Sequence, residues 1–298
     1  GRVTIIVVDG MSRDGTRERV RAAIERHPDR SLRLLDNPRG IVPTALNLGL
    51  AEADADVVVR VDGHCEIAPD YLERCLQGLE ASGAECVGGP IETVGETRVA
   101  RAIARAQSSP FGVGGARFRT GTDRPRWVDT LAFGAYRAEV FDAIGGFDEE
   151  LVRNQDDEFN QRLIQSGGRI RLDPAVRSLY WSRAGLGALA RQYFQYGLYK
   201  VRVAQKRGGL AAWRHRVPAA FVVSLLAAAG LSAAMGSAWP ALAVLVPYGG
   251  AALGAAVLAA RDEPAAIPVV AAAFVVLHVA YGGGFLAGRW KFRRGLRS

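Results

Sequence analysis

Hydrophobic and polar positions divide the chain into two parts. Up to about residue 215, short apolar runs alternate with stretches that mix charged and apolar residues, whereas residues 217–287 are almost free of charge. β-Branched runs bounded by turn residues indicate buried strands, and the stretches between them have the length of helices. The first part therefore predicts a soluble α/β domain, and the second predicts long apolar helices.

The soluble part begins strand, helix, strand, helix, strand, which is typical of a parallel sheet with helices on both faces. We predict strands at residues 3–8, 32–35, 57–61, 86–89, 128–135 and 169–172, and helices at residues 16–26, 43–53, 71–82, 98–106, 137–144, 156–165 and 189–205. After residue 106 the periodicity is lost, and the sequence around residues 111–115 predicts a mobile loop. Aromatic and basic residues share the last helix, so we expect an amphipathic helix that lies in a membrane interface.

Three apolar segments follow, at residues 217–235, 239–260 and 265–287. Each is about long enough to cross a hydrocarbon core of roughly 30 Å. Only Arg261, Asp262 and Glu263 interrupt them, between the second and the third segment. We therefore predict two or three membrane spans. The run Gly282-Gly283-Gly284 makes the third segment the weakest helix.

The formal net charge of +8 is concentrated beside the apolar segments. The flanking basic residues are Arg202, Lys206, Arg207, Arg214 and Arg216 before the first segment, and Arg289, Lys291, Arg293, Arg294 and Arg297 after the last. An anionic cytoplasmic leaflet attracts such clusters, whereas a nucleic-acid binder would present a separate basic arm or stripe. Three full spans would place the soluble domain and the basic tail on opposite sides. Either one segment is re-entrant or interfacial, or the tail departs from the charge rule.

The three cysteines, Cys65, Cys75 and Cys86, are odd in number and show no Cys-x-x-Cys spacing. They therefore support neither a disulfide framework nor a zinc knuckle. This pattern suits a reducing compartment.

Acidic residues occur at the ends of predicted elements. Asp9 and Asp62 follow apolar strands, Asp156 begins a helix, and His64 stands two residues after Asp62. A carboxylate and an imidazole at the carboxyl edge of a sheet can hold a divalent cation against a diphosphate. Turns also favour aspartate, so each of these residues taken alone is equally well explained as a cap or an exposed turn residue.

Four segments together resemble family 2 glycosyltransferases. Residues 6–16 (IVVDGMSRDGT) are similar to the nucleotide-sugar-binding signature, and residues 37–40 with 45–49 (NPRG, ALNLG) to the next segment. Residues 61–64 (VDGH) stand where the family carries its Asp-x-Asp metal motif. Residues 145–148, 155–158 and 162–163 (GGFD, QDDE, RL) are similar to the acceptor-side block with the catalytic Glu-Asp pair. The Asp-Gly-His form and the apolar segments resemble the succinoglycan-type exopolysaccharide branch.

The resemblance implies a GT-A fold, that is, a Rossmann-like mixed sheet with helices on both faces, followed by transmembrane helices. It implies that Asp9 contacts the nucleobase, that Asp62 contacts the ribose or a divalent metal, and that His64 is the second metal ligand. Imidazole suits Mn²⁺ better than Mg²⁺, so the metal is Mn or Mg with a preference for Mn. Asp156 corresponds to the general base of a one-step inverting displacement. Asp157 and Glu158 are close alternatives, although acids at a helix N-terminus also have a structural explanation.

These expectations divide the chain into a GT-A domain at residues 1–185, an interface helix and linker at 186–215, two to three transmembrane helices at 216–288, and a basic tail at 289–298. The predicted protein is a hexosyltransferase in the plasma (inner) membrane, multi-pass, with its catalytic domain in the cytoplasm. It would move one sugar from a nucleotide-sugar donor, UDP-linked in most of the family, to a lipid-linked or glycan acceptor in exopolysaccharide or cell-envelope synthesis. Other polysaccharide-assembly proteins are further candidate partners.

Departures from the family leave two alternatives open. The family's first strand and helix would precede Val3, so we expect the domain to be incomplete at its N-terminus, and Gln155 replaces the Glu of the catalytic pair. Residues 192–196 (QYFQY) do not match the Gln-x-x-Arg-Trp motif of processive members, which favours the addition of a single sugar. The alternatives are a polyprenyl-phosphate glycosyltransferase and a catalytically inactive membrane scaffold of a polysaccharide complex.

Overall fold

The structure is a computed structural model that describes residues 2–210 and 212–293; Gly1 and the tail residues Arg294 and Arg297 lie outside this part. The strands are β1 (Thr4–Asp9), β2 (Ser31–Asp36), β3 (Val57–Val59), β4 (Cys65–Ile67), β5 (Cys86–Gly88), β6 (Ile91–Val94), β7 (Arg126–Val128), β8 (Gly134–Arg137), β9 (Ile170–Leu172) and β10 (Ser178–Trp181). The helices are α1 (Thr16–Arg26), α2 (Val42–Ala51), α3 (Tyr71–Ser82), α4 (Arg98–Gln107), α5 (Pro110–Val113), α6 (Arg117–Thr120), α7 (Glu139–Ile144), α8 (Gln155–Gln165), α9 (Leu186–Lys206), α10 (Val217–Met235), α11 (Trp239–Ala259) and α12 (Ile267–Lys291).

The strands form a mixed arrangement in three hydrogen-bonded groups. β1 pairs in parallel with β2, the order β3-β8-β5-β9-β7 makes a five-stranded sheet, and β4-β10-β6 makes a third group. β8 runs antiparallel to both β3 and β5. The all-parallel sheet that the strand–helix rhythm predicts is therefore wrong. The mixed sheet that the family resemblance implies is present.

Helices cover both faces of the five-stranded sheet. Cys86 of β5 packs with Phe159 of α8, while the next residue, Val87, packs with Tyr71 and Leu79 of α3. Successive side chains of a strand point to opposite faces, so the continuous apolar run of β5 is explained by two helical layers. This confirms the α/β class.

Three strands were not predicted, namely β4, β6 and β10, each of three or four residues. The single strand predicted at residues 128–135 is two separate strands, β7 and β8. The expectation of a mobile loop around residues 111–115 is also wrong, because this stretch contains α5 and is followed by α6. Phe111 packs edge-on against Phe274 of α12, with the ring centroids 5.0 Å apart. A tertiary contact, which local periodicity does not encode, orders this segment.

Three described helical segments are long and apolar enough to cross a membrane: Trp213–Met235, Trp239–Ala259 and Pro264–Lys291, with mean hydropathies of 2.0, 1.9 and 2.0. α12 is continuous through Gly282-Gly283-Gly284, so the expected weak point is absent. Cβ atoms at Gly282 and Gly284 would overlap the carbonyl oxygens of Pro218 and Phe194, respectively. These glycines therefore allow α10 and α9 to approach α12 closely.

Candidate active site

A large cavity brings three of the four sequence-predicted site residues together. It has a volume of about 1270 Å³, and Asp62, His64 and Asp156 line it. Asp62 and His64 come from the segment between β3 and β4, and Asp156 from the first turn of α8. We call this part, together with Arg60, the carboxylate end of the cavity.

Asp9, the fourth predicted residue, is not among the residues that line this cavity. It ends β1 and is 6 % exposed. Its carboxylate accepts hydrogen bonds from the Ser12 amide (2.8 Å), the Ser12 hydroxyl (2.6 Å) and Arg17 (3.1 Å). The Ser12 hydroxyl bond is the main cause that lowers the pKa of Asp9. Arg17 also reaches Asp36 at the end of β2, so Asp9 helps to join the ends of two paired strands.

Arg60 joins the carboxylates of Asp62 and Asp156, and sequence reasoning missed it. Its Nε and Nη2 atoms each donate a 3.0 Å hydrogen bond to Asp62, and its Nη1 atom lies 3.5 Å from Asp156 Oδ2 in an ion pair. Arg60 is 8 % exposed. Burial works to lower its pKa, but Asp62 and Asp156 raise it above the ordinary value, so the guanidinium remains charged. A single charged residue within the apolar run that leads to Asp62 was the signal available in the sequence.

The three consecutive acids of α8 have different surroundings. Glu158 is 1 % exposed and accepts two 3.0 Å hydrogen bonds from Arg162, with Arg207 Nε at 3.1 Å. Asp157 forms an ion pair with Lys200 of α9 and has no Arg60 contact in the described structure. The side chain of Asp156 is 30 % exposed and faces Arg60. Of the three, Asp156 is thus the carboxylate that lies beside Asp62, and Arg162 has the structural role of an ion-pair partner.

Burial raises the pKa of Asp156, and the nearby carboxylates of Asp157 and Asp62 raise it further. The charge of Arg60 opposes this shift by stabilising the carboxylate form. A carboxylate whose pKa is raised is a better proton acceptor than an ordinary surface carboxylate. The position of Asp156 therefore suits general-base chemistry.

His64 lies against Tyr180 of β10, with the two rings edge to face and their centroids 4.8 Å apart. Its backbone carbonyl accepts a 3.2 Å hydrogen bond from the Trp181 amide, which fixes the segment between β3 and β4. Burial lowers the pKa of His64, and the charges of Arg183, Arg60 and Arg119 act in the same direction, against Asp62. The imidazole is therefore neutral at neutral pH, which is the form that binds metals.

The residues at the carboxylate end fit a divalent cation that takes only part of its ligands from the protein. No group of three or more His, Cys, Asp or Glu side chains with metal-binding geometry occurs among the described residues. Each Asp62 oxygen accepts one hydrogen bond from Arg60 and retains a further lone pair, and the His64 ring makes no hydrogen bond within the described part of the chain. Asp62 and His64 would supply one carboxylate and one imidazole, a pair of ligands that suits Mn²⁺.

The cavity continues from the carboxylate end to the apolar helices. There it is lined by Phe221 of α10, Tyr248 of α11 and Leu277, His278 and Tyr281 of α12. We call these five residues the helix end of the cavity. His278 bridges two elements, since its ring nitrogens lie 2.9 Å from Tyr248 Oη and 2.8 Å from the carbonyl oxygen of Phe111. The α5 segment thus forms part of the cavity wall.

Arg119 of α6 also lines the cavity and was not predicted. Its guanidinium lies over the Tyr180 ring at 5.2 Å from the centroid. Within the described residues it has no ion-pair partner, and its buried Nη1 atom has no hydrogen-bond partner. A half-buried cation without a carboxylate partner is suited to bind an anionic group of a ligand.

Comparison with known proteins gives concordant results. The family described as "Glycosyl transferase family 2" matches residues 1–145. The succinoglycan biosynthesis protein ExoA of Rhizobium meliloti is 34 % identical over 293 residues, which is 97 % of this chain and 87 % of that protein. A dolichyl N-acetyl-α-D-glucosaminyl phosphate 3-β-D-2,3-diacetamido-2,3-dideoxy-β-D-glucuronosyltransferase of Methanococcus voltae is 24 % identical over 208 residues, or 68 % of this chain and 64 % of that protein.

A solved structure shows the same fold. The mannosyltransferase PcManGT of Pyrobaculum calidifontis, solved in complex with GDP-Man and Mn²⁺, superposes with a TM-score of 0.57 over 97 % of this chain and 78 % of that one, at 19 % identity. This similarity confirms the GT-A type of mixed α/β core that the sequence motifs imply.

Proposed function

This chain belongs to glycosyltransferase family 2, and we propose that it is a membrane-bound inverting enzyme that adds one sugar to a lipid-linked acceptor. The donor would be a nucleotide-diphosphate sugar, with UDP as the nucleotide to test first. The observation that supports this proposal is the single cavity, which joins Asp62, His64 and Asp156 to residues of the three apolar helices. A donor at the carboxylate end and an acceptor lipid at the helix end would therefore meet at Asp156.

Asp62 and His64 would hold a divalent cation. Asp9 does not line the cavity, so it would accept a hydrogen bond from a nucleobase that extends beyond the carboxylate end. When bound, such a cation neutralises charge that develops on the diphosphate leaving group. Arg60 would position the reacting groups, because one guanidinium holds the carboxylates of both Asp62 and Asp156. Its rigid fork restricts their rotation and so maintains their relative placement.

Asp156 would remove the proton from the acceptor hydroxyl. The oxygen of that hydroxyl forms a bond to the anomeric carbon of the donor sugar while the bond from that carbon to the diphosphate oxygen breaks. The nucleoside diphosphate leaves with the electron pair, and the configuration at the anomeric carbon inverts. Lys200 would keep the neighbouring Asp157 engaged in an ion pair, so that Asp156 remains the carboxylate available to the acceptor.

Two observations support a lipid-linked acceptor. The cavity reaches the apolar helices, where an alkyl chain could enter. Arg119, which lines the same cavity and has no carboxylate partner among the described residues, could bind a phosphate that links a sugar to a lipid. The name of the Methanococcus voltae relative specifies a dolichyl phosphate-linked sugar as its acceptor, which is consistent with this proposal.

The full chain, reconstituted in lipid nanodiscs with a radiolabelled panel of nucleotide sugars and an extract of lipid-linked sugars, tests the proposal. We expect one donor to label a lipid product that carries one additional sugar with the opposite anomeric configuration. Loss of labelling in Asp62→Ala together with full labelling in Glu66→Gln, an exposed acid outside the cavity, would assign the activity to the site. Labelling that persists in Asp62→Ala, or a product with retained configuration, would contradict the mechanism.

The arginines at the cavity also favour a second candidate, direct transfer to polyprenyl phosphate. In that reaction a phosphate oxygen of the lipid would form a bond to the anomeric carbon while the bond from that carbon to the diphosphate oxygen breaks. The nucleoside diphosphate would leave with the electron pair, and Arg119 would hold the attacking phosphate. The same assay separates the two reactions. A sugar linked to the lipid by a monophosphate, formed with polyprenyl phosphate as the sole acceptor, would support the second candidate.

A further inference from the structure

α12 is held at one end by the catalytic domain and at the other by α9, the helix that packs on that domain. Just before its start, Asp262 accepts hydrogen bonds of 2.6 and 2.7 Å from Arg105 of α4. At its end, the carbonyl oxygen of Phe292 accepts a 3.1 Å hydrogen bond from Gln205 of α9. A helix that crossed a membrane away from the domain would touch the domain at one end only.

Between these ends α12 lies directly against α9. Cβ atoms at Gly284 and Gly288 of α12 would overlap backbone oxygens of α9, at Phe194 and Leu198, respectively. Because the paired positions increase together along both helices, α9 and α12 run in the same direction. α12 therefore follows α9 along its length.

α9 is itself fixed along the catalytic domain by a series of polar contacts. Tyr196 accepts a 2.9 Å hydrogen bond from Asn154 through its carbonyl oxygen. Further along, Arg202 pairs with Glu150 at 2.7 Å and Lys206 with Asp148 at 2.5 Å. Because α9 lies flat on the domain and α12 follows α9, α12 lies parallel to the surface of the domain.

α10 and α11 are arranged differently, as a hairpin that begins and ends at the domain. Arg214, just before α10, pairs with Asp129 at 2.5 Å, and the carbonyl oxygen of Ala259, the last residue of α11, accepts a 3.0 Å hydrogen bond from Arg105. The helices have 19 and 21 residues, about 29 and 32 Å at 1.5 Å per residue, which matches a hydrocarbon core of roughly 30 Å. At the turn between them, Ser232 accepts hydrogen bonds from Ser237 and Ala241, within the hairpin itself.

We propose that α10 and α11 cross the bilayer as a two-span hairpin, and that α12 lies in the bilayer interface beneath the catalytic domain without crossing. A helix whose two ends are both held on one domain cannot have those ends on opposite sides of a membrane. The face of α12 away from α9 carries the exposed Val275 and Val279, four residues apart and thus on one side of the helix, where acyl chains would contact them. This inference does not depend on the reaction that the enzyme catalyses.

The charge distribution agrees with this arrangement. With two spans, both basic clusters lie on the same side as the catalytic domain. Residues 236–238, at the hairpin turn on the opposite side, carry no charge. Basic residues concentrate in the loops on the cytoplasmic side of a membrane. The conflict between three apolar segments and a basic tail is thereby removed, because the third segment does not change sides.

Cysteine accessibility in the full-length membrane-embedded protein tests the proposal. Four single cysteine substitutions are made at exposed positions. Ala238→Cys lies at the hairpin turn, Arg261→Cys between α11 and α12, and Arg293→Cys after α12. Asp54→Cys marks the side of the catalytic domain. Vesicles of each orientation are treated with a membrane-impermeant maleimide, and labelled peptides are identified by mass spectrometry to separate them from those of the native cysteines. We expect Arg293→Cys to be labelled from the same side as Asp54→Cys and Arg261→Cys, and Ala238→Cys from the other side.

Labelling of Arg293→Cys from the side of Ala238→Cys would establish three spans and overturn the proposal. Labelling of Ala238→Cys from the side of Asp54→Cys would also overturn it, since the hairpin would then not cross. A second measurement does not depend on the accessibility of residue 293. A fluorescent protein is fused after the last residue, and protease is added to one side of the membrane. Digestion of the fusion then shows on which side the tail lies. The proposal requires the fusion and the catalytic domain to be digested from the same side.

Discussion

The carboxylate end and the helix end of the cavity are built from opposite kinds of contact. At the carboxylate end, Arg60 holds two carboxylates at 3.0 to 3.5 Å, and burial perturbs the pKa values of its neighbours. Behind the helix end, α9, α10 and α12 approach one another through glycines whose Cβ atoms would overlap a neighbouring backbone. A charged side chain at the carboxylate end can be replaced by a neutral one of similar shape without disturbing the packing, whereas an atom added at a close backbone contact must displace the neighbouring helix.

The three apolar helices show a second contrast. Their mean hydropathies are nearly equal, but 33 % of the apolar stretch of α12 is buried inside the protein, against 11 % for each of the other two helices. Hydropathy reports only that a helix avoids water. Whether its apolar surface meets lipid or protein depends on packing. The larger buried share of α12 agrees with our proposal that α12 lies along the domain while α10 and α11 cross the membrane.

The largest effect is expected at the carboxylate end, from Asp156→Asn. The amide keeps the shape of the side chain but cannot accept the proton, so we expect kcat to fall by about 10²–10⁴-fold. The unfolding temperature should not fall, because burial already disfavours the charge of Asp156. Steady-state kinetics and thermal denaturation in detergent provide the measurement, with Glu66→Gln as the control variant. Wild-type turnover in Asp156→Asn would remove Asp156 from the mechanism.

Removal of the metal gives the next effect. We expect chelation to abolish sugar transfer and Mn²⁺ to restore more activity than Mg²⁺, because an imidazole and a single carboxylate favour the softer ion. In His64→Ala, the Mn²⁺ concentration that gives half-maximal activity should rise by on the order of tenfold or more. His27→Ala, at an exposed position at the end of α1, is the matched control. Activity that survives exhaustive chelation would show that Asp62 and His64 serve another purpose.

A smaller effect concerns pH. Asp156 must be deprotonated to act as a base, so activity should decline as the pH falls through its pKa, which burial raises above the ordinary carboxyl value. Arg60 stabilises the carboxylate, so Arg60→Met should move this acid limb of kcat/KM to higher pH, by roughly one unit or more. Arg74→Met, at an exposed pair with Asp70, should leave the limb in place. An unchanged limb in Arg60→Met would mean that another group controls it.

The smallest effect is structural and belongs to the region behind the helix end. Gly284→Ala would place a Cβ atom on the backbone of Phe194, and we expect overpacking to lower the free energy of unfolding by about 1–3 kcal/mol. Gly283→Ala is a matched control, because a Cβ atom at Gly283 would meet no atom within 4 Å. Thermal denaturation of the two variants in the same detergent compares them. Equal stabilities would contradict the close contact of α9 and α12.

Much of the fold could be predicted from the sequence. The bounds predicted for α1, α3 and α10 agree with those of the structure, because strong periodicity or long apolar runs determine these helices locally. The short strands β4, β6 and β10 were missed, since three or four residues carry too little pattern to distinguish a strand from a loop. The order of α5 was also missed, because it depends on Phe111 packing against a helix more than 150 residues away.

The candidate site was predicted in part. Asp62, His64 and Asp156 stood out through their motifs, and the structure places all three in one cavity; their roles remain predictions. Arg60 and Arg119 were missed. The arginine within the apolar run before Asp62 was a signal for Arg60, whereas Arg119 stands among several other arginines and has no distinctive spacing. The structure shows why each matters: Arg60 lies beside two carboxylates, and Arg119 lies in the cavity without a carboxylate partner among the described residues.

The α/β class, the family and the apolar character of the last three helices could be predicted from the sequence, because periodicity, motif order and hydropathy are local properties of a chain. Contacts in the folded chain select the acid of α8 that faces Asp62 and place Arg60 between the two carboxylates. The path of α12 along α9 was likewise decided by packing. These features depend on contacts between residues far apart in the chain, and the sequence pattern around each residue is the same whether or not such a contact forms.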